Sequence, residues 1–275
     1  GVRARRQPHQ PKGWQATLEL GFQQRNNKTV LTHRKRQGPL SVQRPFYPEG
    51  SVCHVYLLHP PGGVVGGDQL NIDINVASGQ ALITTPGATK FYRSNGALAE
   101  QRQSLRIADG ASLEWMPQEN IAFPGAHASL QSCIELEGSA TIAAWEIQCL
   151  GRPTNQEAFD EGSLEFQLSL YRDGDPLILE RLHVDPDSLK RASLLNGNPV
   201  TGNLLISGMT KTDLETAREQ LPDQHFAATL IEDILIVRYL GDSTEMARKV
   251  FTGCWTELRP RQLNRPAMKP RIWAT

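Results

Sequence analysis

The sequence has little cysteine, no net charge and no long apolar run, and each shortage removes a class of protein. Cys53, Cys133, Cys149 and Cys254 stand far apart with no Cys-x-x-Cys pair, so neither a disulfide framework nor a zinc knuckle is expected. All four fall in apolar patterns and read as buried thiols of a reducing, cytoplasmic setting. Twenty-nine basic and 29 acidic residues cancel, and nothing in bulk points to nucleic acid or an anionic membrane. The apolar stretches are strand-sized, too short to cross a bilayer as a helix. The start, Gly1-Val-Arg-Ala-Arg-Arg6, has cations but no apolar h-region and no Met. It reads as a processed or trimmed end rather than a secretory signal.

Catalytic motifs are missing too. No Gly-x-Ser-x-Gly elbow occurs, and the histidines form neither His-Glu-x-x-His nor a close Cys/His pairing. A metal-dependent hydrolase built on Asp68, Glu119 and His59 is the one enzymatic alternative the residues leave.

What is present centres on His59-Pro-Pro-Gly-Gly-Val-Val-Gly-Gly-Asp68, a loop between two strand patterns. Pro60, Pro61, Gly62, Gly63, Gly66 and Gly67 specify backbone shape. A phosphate loop needs Lys and Ser/Thr after its last glycine, whereas Gly67 is followed by Asp68, whose charge repels phosphate. Asp68 is an isolated carboxylate on a loop otherwise built for shape, and its removal should leave the fold intact while impairing function. His59 reads as a hydrogen-bonding anchor of the loop rather than a ligand.

At 275 residues the chain is one large domain or two small ones. Residues 1–13 form a mobile basic lead-in. Residues 14–200 form a β body with a two-residue period and no convincing helix. Within it Ile74-x-Val-x-x-Gly79, Leu105-x-Ile-x-x-Gly110 and Ile134-x-Leu-x-Gly138 repeat a strand and a glycine turn at roughly thirty-residue spacing, as stacked β layers do. Loops opening at Pro60, Pro86, Pro117 and Pro153 would then pile along one edge. That places Asp68, Lys90, Arg93, Glu119 and Glu157 on a common rim, although each alone could be a solvated loop charge.

Residues 201–258 read as a βαββα subdomain packed on the body. Its helices open at a Thr212-Asp-Leu-Glu215 capping box and at Asp242-Ser-Thr-Glu245, and Pro260 stops the second. Residues 259–275 form an extended tail. Arg271, Ile272 and Trp273 make an aromatic–Arg grouping suited to a partner interface, or to packing back on the subdomain.

Five stretches in order carry a family likeness: Pro60 to Asp68, Thr85-Pro-Gly-Ala-Thr-Lys-Phe-Tyr-Arg93, Trp115-Met-Pro-Gln-Glu-Asn-Ile-Ala-Phe123, Leu150-Gly-Arg-Pro153 and Pro270-Arg-Ile-Trp-Ala-Thr275. Together they resemble the UreD (UreH) family of urease accessory proteins. The resemblance implies a non-enzymatic scaffold with a mainly β, β-helix-like fold and two main helices. It implies binding to urease apoprotein and to UreF and, through UreF, to the GTPase UreG. It also implies a water-filled interior passage for nickel, with no tightly bound cofactor and nickel(II) only in transit. The rim carboxylates would hold such an ion weakly through hard oxygen ligands. Glu157 is the least typical of them, because Thr-Asn-Gln stands before it where a Gly is common in the family.

Overall fold

The computed structural model describes residues 13–191 and 195–274. Apart from Gly13, the lead-in lies outside the described residues. From Trp14 onward the two-residue period becomes two sheets. The first has seven strands: β1 (Gln15–Arg25), β2 (Lys28–Gln37), β5 (Gln69–Val76), β8 (Ala99–Ile107), β11 (His127–Leu136), β13 (Ser163–Arg172) and β14 (Asp175–Val184). The second contains β3 (Ser41–Val42), β4 (Cys53–Leu58), β6 (Gln80–Thr84), β7 (Thr89–Phe91), β9 (Ser112–Met116), β10 (Asn120–Ala122), β12 (Thr141–Leu150), β15 (Val200–Ile206), β16 (Phe226–Ile231) and β17 (Ile234–Gly241).

The chain alternates between the sheets from β4 to β13, so parallel strands stack rung on rung. Cys53 lies beside Ala81, Ala81 beside Leu113 and Leu113 beside Ile142. In the other sheet Leu70, Gln101, Leu130 and Phe166 follow in the same way. The repeated glycines Gly79, Gly110 and Gly138 turn each rung at positive φ, +82°, +78° and +53°, where a Cβ would be strained. Antiparallel strands finish both sheets, which are mixed and do not close into a barrel.

Alternation decides what each strand buries. Ala16, Leu18, Leu20 and Phe22 of β1 are fully enclosed between the sheets, at roughly 1.5–3 kcal/mol for each large side chain. On β12 both faces are buried. Ile142, Ala144 and Leu150 face the first sheet, whereas Ala143, Trp145, Ile147 and Cys149 face a second core beneath the C-terminal helices.

Three α-helices are present among the described residues: α1 (Pro186–Lys190), α2 (Lys211–Glu219) and α3 (Thr244–Leu263). The first is a correction, since 14–200 was expected to hold no helix. Asp185 caps it by accepting from Ser188 N, with Pro186 at its first turn. The capping box of α2 is Thr210 with Asp213, two residues earlier than expected. Pro260 does not stop α3, which runs through it to an αL cap at Asn264. The bond that Pro260 cannot make is offset by tertiary bonds of its last turn. Arg261 holds Asp213 through two 3.0 Å contacts, and Gln262 Nε2 donates to Ile142 O at 2.9 Å and Ser207 O at 2.8 Å. The C-terminal strands extend the second sheet edge-on, because β15 pairs with β12. Cys133 is half-buried on the outer face of the first sheet, while the other three thiols are buried. No helix among the described residues is long and apolar enough to cross a membrane.

Candidate functional site: a loop stack and an interior polar strip

The proline-initiated loops do stack. Val64 N donates to Lys90 O and Tyr92 N to Val64 O, both at 2.8 Å. β10 lies parallel to β7 and β12, and Gly151 N donates to Ala122 O at 2.7 Å. Gly67 has φ +92° and needs glycine on backbone grounds. At Gly66 the reason is space, because a Cβ would stand 2.3 Å from Ala97 O. Gly63 takes φ +75° and packs against Tyr92, while Gly62 has open space around it.

Asp68 is 1% exposed and closes this loop from within. Its carboxylate accepts from Val65 N at 2.9 Å and from Trp14 N at 3.2 Å. It is a clamp on backbone amides, so the expectation of an isolated rim carboxylate is corrected. The other rim residues have separate surroundings. Glu119 lies on the helix side, with Oε2 3.7 Å from Arg248 Nε. Arg93 pairs with Glu161, and Glu157 pairs with Arg152 at 3.3 Å. Lys90 is exposed and lines a small cavity with His59, Pro60 and Pro61. Both His59 ring nitrogens are out of solvent with no hydrogen-bond partner, which corrects its reading as an anchor. Burial pushes the His59 imidazole down to about 4, so it is neutral. Among the described residues no three His, Cys, Asp or Glu side chains converge as metal ligands, and Asp68, Glu119 and His59 form no such set.

Trp273 packs on its own chain. Its ring lies 5.3 Å from Trp145 and 5.9 Å from Trp255, and Nε1 donates to Thr84 Oγ1 at 2.9 Å. Arg271 and Ile272 belong to the same short 3-10 turn, Arg271–Ala274.

A polar strip lies between the sheets, where the alternation should place apolar side chains. Gln101 and Gln103 of β8, Ser132 of β11, and Glu146 and Gln148 of β12 are all buried there. Gln103 Nε2 reaches Ser132 Oγ at 3.1 Å and Glu146 Oε1 at 3.4 Å, and Ser132 Oγ donates to Glu146. Gln101 Oε1, Glu146 Oε2 and both amide atoms of Gln148 have no protein partner. Burial pushes the Glu146 carboxyl up to about 7, against the Ser132 hydrogen bond that favours its charge. A groove of about 600 Å³ between β14 and the β15–β17 strands opens onto Glu146 and Gln148. The Glu180–Arg238 ion pair spans the two sheets at this groove. Sequence reading missed this strip, although its signal is present. In Ala99-x-Gln-x-Gln-x-Leu-x-Ile107 and Ile142-x-Ala-x-Glu-x-Gln-x-Leu150 polar residues occupy the inward parity.

The fold and this strip define a class: a two-sheet, rung-stacked protein with a polar interior and no group of three His, Cys, Asp or Glu side chains among the described residues placed to hold a metal. The family model described as UreD urease accessory protein matches residues 15–274. The chain is 46% identical over 267 residues to the urease accessory protein UreD of Citrobacter koseri, covering 96% of this chain and 93% of that protein. It is 48% identical over 274 residues to that of Alcanivorax borkumensis, with 96% and 93% covered. Against the Klebsiella aerogenes protein it is 45% identical over 271 residues, with 98% and 99% covered. The chain belongs to the UreD urease accessory protein family.

Proposed function

We propose that the chain is a non-enzymatic urease maturation scaffold of the cytoplasm. It binds urease apoprotein and UreF, recruits UreG through UreF, and helps pass nickel to the urease active site. Nickel is its cargo, held in transit. The observation that carries this reading is the interior strip. Buried polar atoms without protein partners are satisfied by internal water or a passing solute. A single carboxylate among amides gives a divalent ion oxygen ligands too few to trap it. Burial favours the protonated form of Glu146, so a cation bound there would displace a proton.

The test replaces polarity without adding bulk. Gln103→Leu/Gln148→Leu, co-expressed with a urease operon, should lower the nickel content and activity of urease while urease and UreF still co-purify with the scaffold. Urease with a normal nickel content would exclude the strip from the route. Lost co-purification would instead point to a change in assembly.

A further inference from the structure

The free edge of the first sheet is strongly basic in a chain whose charges otherwise cancel. β2 pairs only with β1. Thr29 N donates to Ser51 O at 2.9 Å and the Leu31 backbone bonds the Cys53 side chain, but over residues 32–37 no strand covers its outer side among the described residues. Along this stretch Arg34 and Arg36 stand opposite Leu20 and Leu18, on the core-facing side, and Lys35 stands opposite Glu19 on the other. Arg44 and Tyr47 approach from the next segment. With Lys28 and Arg34 they line an open groove of about 790 Å³, where Lys28 Nζ sits 4.2 Å over the Tyr47 ring.

The neighbouring carboxylates are already engaged. Glu19 holds His33 at 3.1 Å, and Glu49 is committed to Arg259 and His54. Among the described residues Lys28, Arg34, Lys35, Arg36 and Arg44 therefore have no carboxylate in salt-bridge reach. The N-terminal lead-in offers no complement, since it carries Arg3, Arg5, Arg6 and Lys12 and no acid.

We propose that the β2 edge is a docking surface for an acidic, extended polypeptide segment. The segment adds as a strand alongside residues 32–37, taking the unpaired backbone groups there. Its alternate carboxylates meet Arg34, Arg36 and Arg44, and the charge field guides its approach. A strand partner is favoured over nucleic acid because the edge presents backbone donors and acceptors in register. The one aromatic ring in the groove already carries Lys28. This surface stands apart from the interior strip and does not depend on it.

The test uses the full chain and a fluorescein-labelled peptide of alternating glutamate and valine, read by fluorescence anisotropy. Binding should saturate, weaken as salt rises, and fall by about tenfold or more in Arg34→Glu/Arg36→Glu. Lys211→Glu, at the start of α2, should leave it unchanged. A peptide of equal charge interrupted by prolines should bind more weakly, because it cannot form the ladder. If the double variant does not fold, Arg44→Glu, which lies off the strand, reads the same loss. Equal binding of a lysine–valine peptide, or unchanged binding by the variants, would overturn the proposal. A single-stranded oligonucleotide that binds more tightly than the peptide would overturn it in favour of nucleic acid. Self-association of the wild type that disappears in the variants would make a second copy the occupant. Variants that only aggregate, with no peptide binding by the wild type, would reduce the charges to protection of a bare edge.

Discussion

Arg259 of α3 meets Glu114 of β9 at 2.8 Å, and neither side chain reaches solvent. The same guanidinium contacts Glu49 at 2.5 Å, Glu49 holds His54 at 2.6 Å, and Trp255 Nε1 donates to Glu114 at 2.5 Å. One buried cation thus ties the C-terminal helix to two rungs of the second sheet and to the segment before β4.

Arg259→Met should be among the most destabilising single changes in the chain. It leaves two buried carboxylates uncompensated, at a cost of about 3–5 kcal/mol in urea unfolding. Adding Glu49→Gln and Glu114→Gln should recover most of that loss. An acid titration checks the same cluster. Burial raises the Glu49 carboxyl, but the hydrogen bonds from His54 and Arg259 outweigh it and hold it at about 2, below its ordinary 4.5. A depressed carboxylate contributes stability that is present above 4.5 and is lost as pH falls toward 2. Arg259→Met should flatten the stability profile in that window, and an unaltered slope would remove Glu49 from acid unfolding.

The central loop gives a second expectation. Gly66→Ala and Gly67→Ala should each lower stability by more than about 1 kcal/mol, one through a clash with Ala97 O and the other through its positive φ. Asp68→Ala should cost about 1–3 kcal/mol by freeing the amides of Val65 and Trp14. Thermal melts of the three variants decide this. A Gly67→Ala protein as stable as wild type would mean that the loop readily takes another backbone path.

The rung architecture was legible because side-chain alternation and glycine turns are local signals. Gly79, Gly110 and Gly138 mark rungs that the strand pairing bears out. Charge partners were not legible, because they depend on which face of which rung meets another element. Glu119 looked like a rim carboxylate until α3 brought Arg248 beside it, and Asp68 until Trp14 came back across the loop. Pro260 carried a local stop signal that distant partners overrode. The interior strip could have been found from parity alone, since Gln101, Gln103, Glu146 and Gln148 interrupt otherwise apolar faces. The small helix at Pro186 was likewise announced by Asp185-Pro186.

The tail supplies a third expectation. Trp273→Ala removes a ring set between Trp145 and Trp255 and the hydrogen bond to Thr84. It should cost about 1–3 kcal/mol, less than loss of a fully buried aromatic because the ring is only partly buried. Truncation after Met268 should lower the melting temperature at least as far. A truncated chain that melts like wild type yet no longer binds UreF would assign Arg271, Ile272 and Trp273 to an interface instead.

Glu146 supplies the last expectation, with the opposite sign to Glu49. Burial raises its carboxyl from 4.5 to about 7, so the fold prefers the protonated form. Its stabilising contribution is complete below pH 4.5 and is lost as pH rises through 7. Glu146→Gln keeps a neutral group of similar size and removes the titration. It should therefore match wild type in acid and exceed it above neutrality, by a margin on the order of 3 kcal/mol if the full shift is expressed. Urea unfolding at a series of pH values from acid to mildly alkaline measures that margin directly. Parallel wild-type and variant curves would show that the carboxylate is hydrated in the folded chain and titrates as it does unfolded. If the curves diverge and urease co-expressed with Glu146→Gln also loses nickel, the group that burial holds near neutrality is the one that exchanges its proton for the metal. Divergence with full nickel loading would leave Glu146 a stability determinant alone.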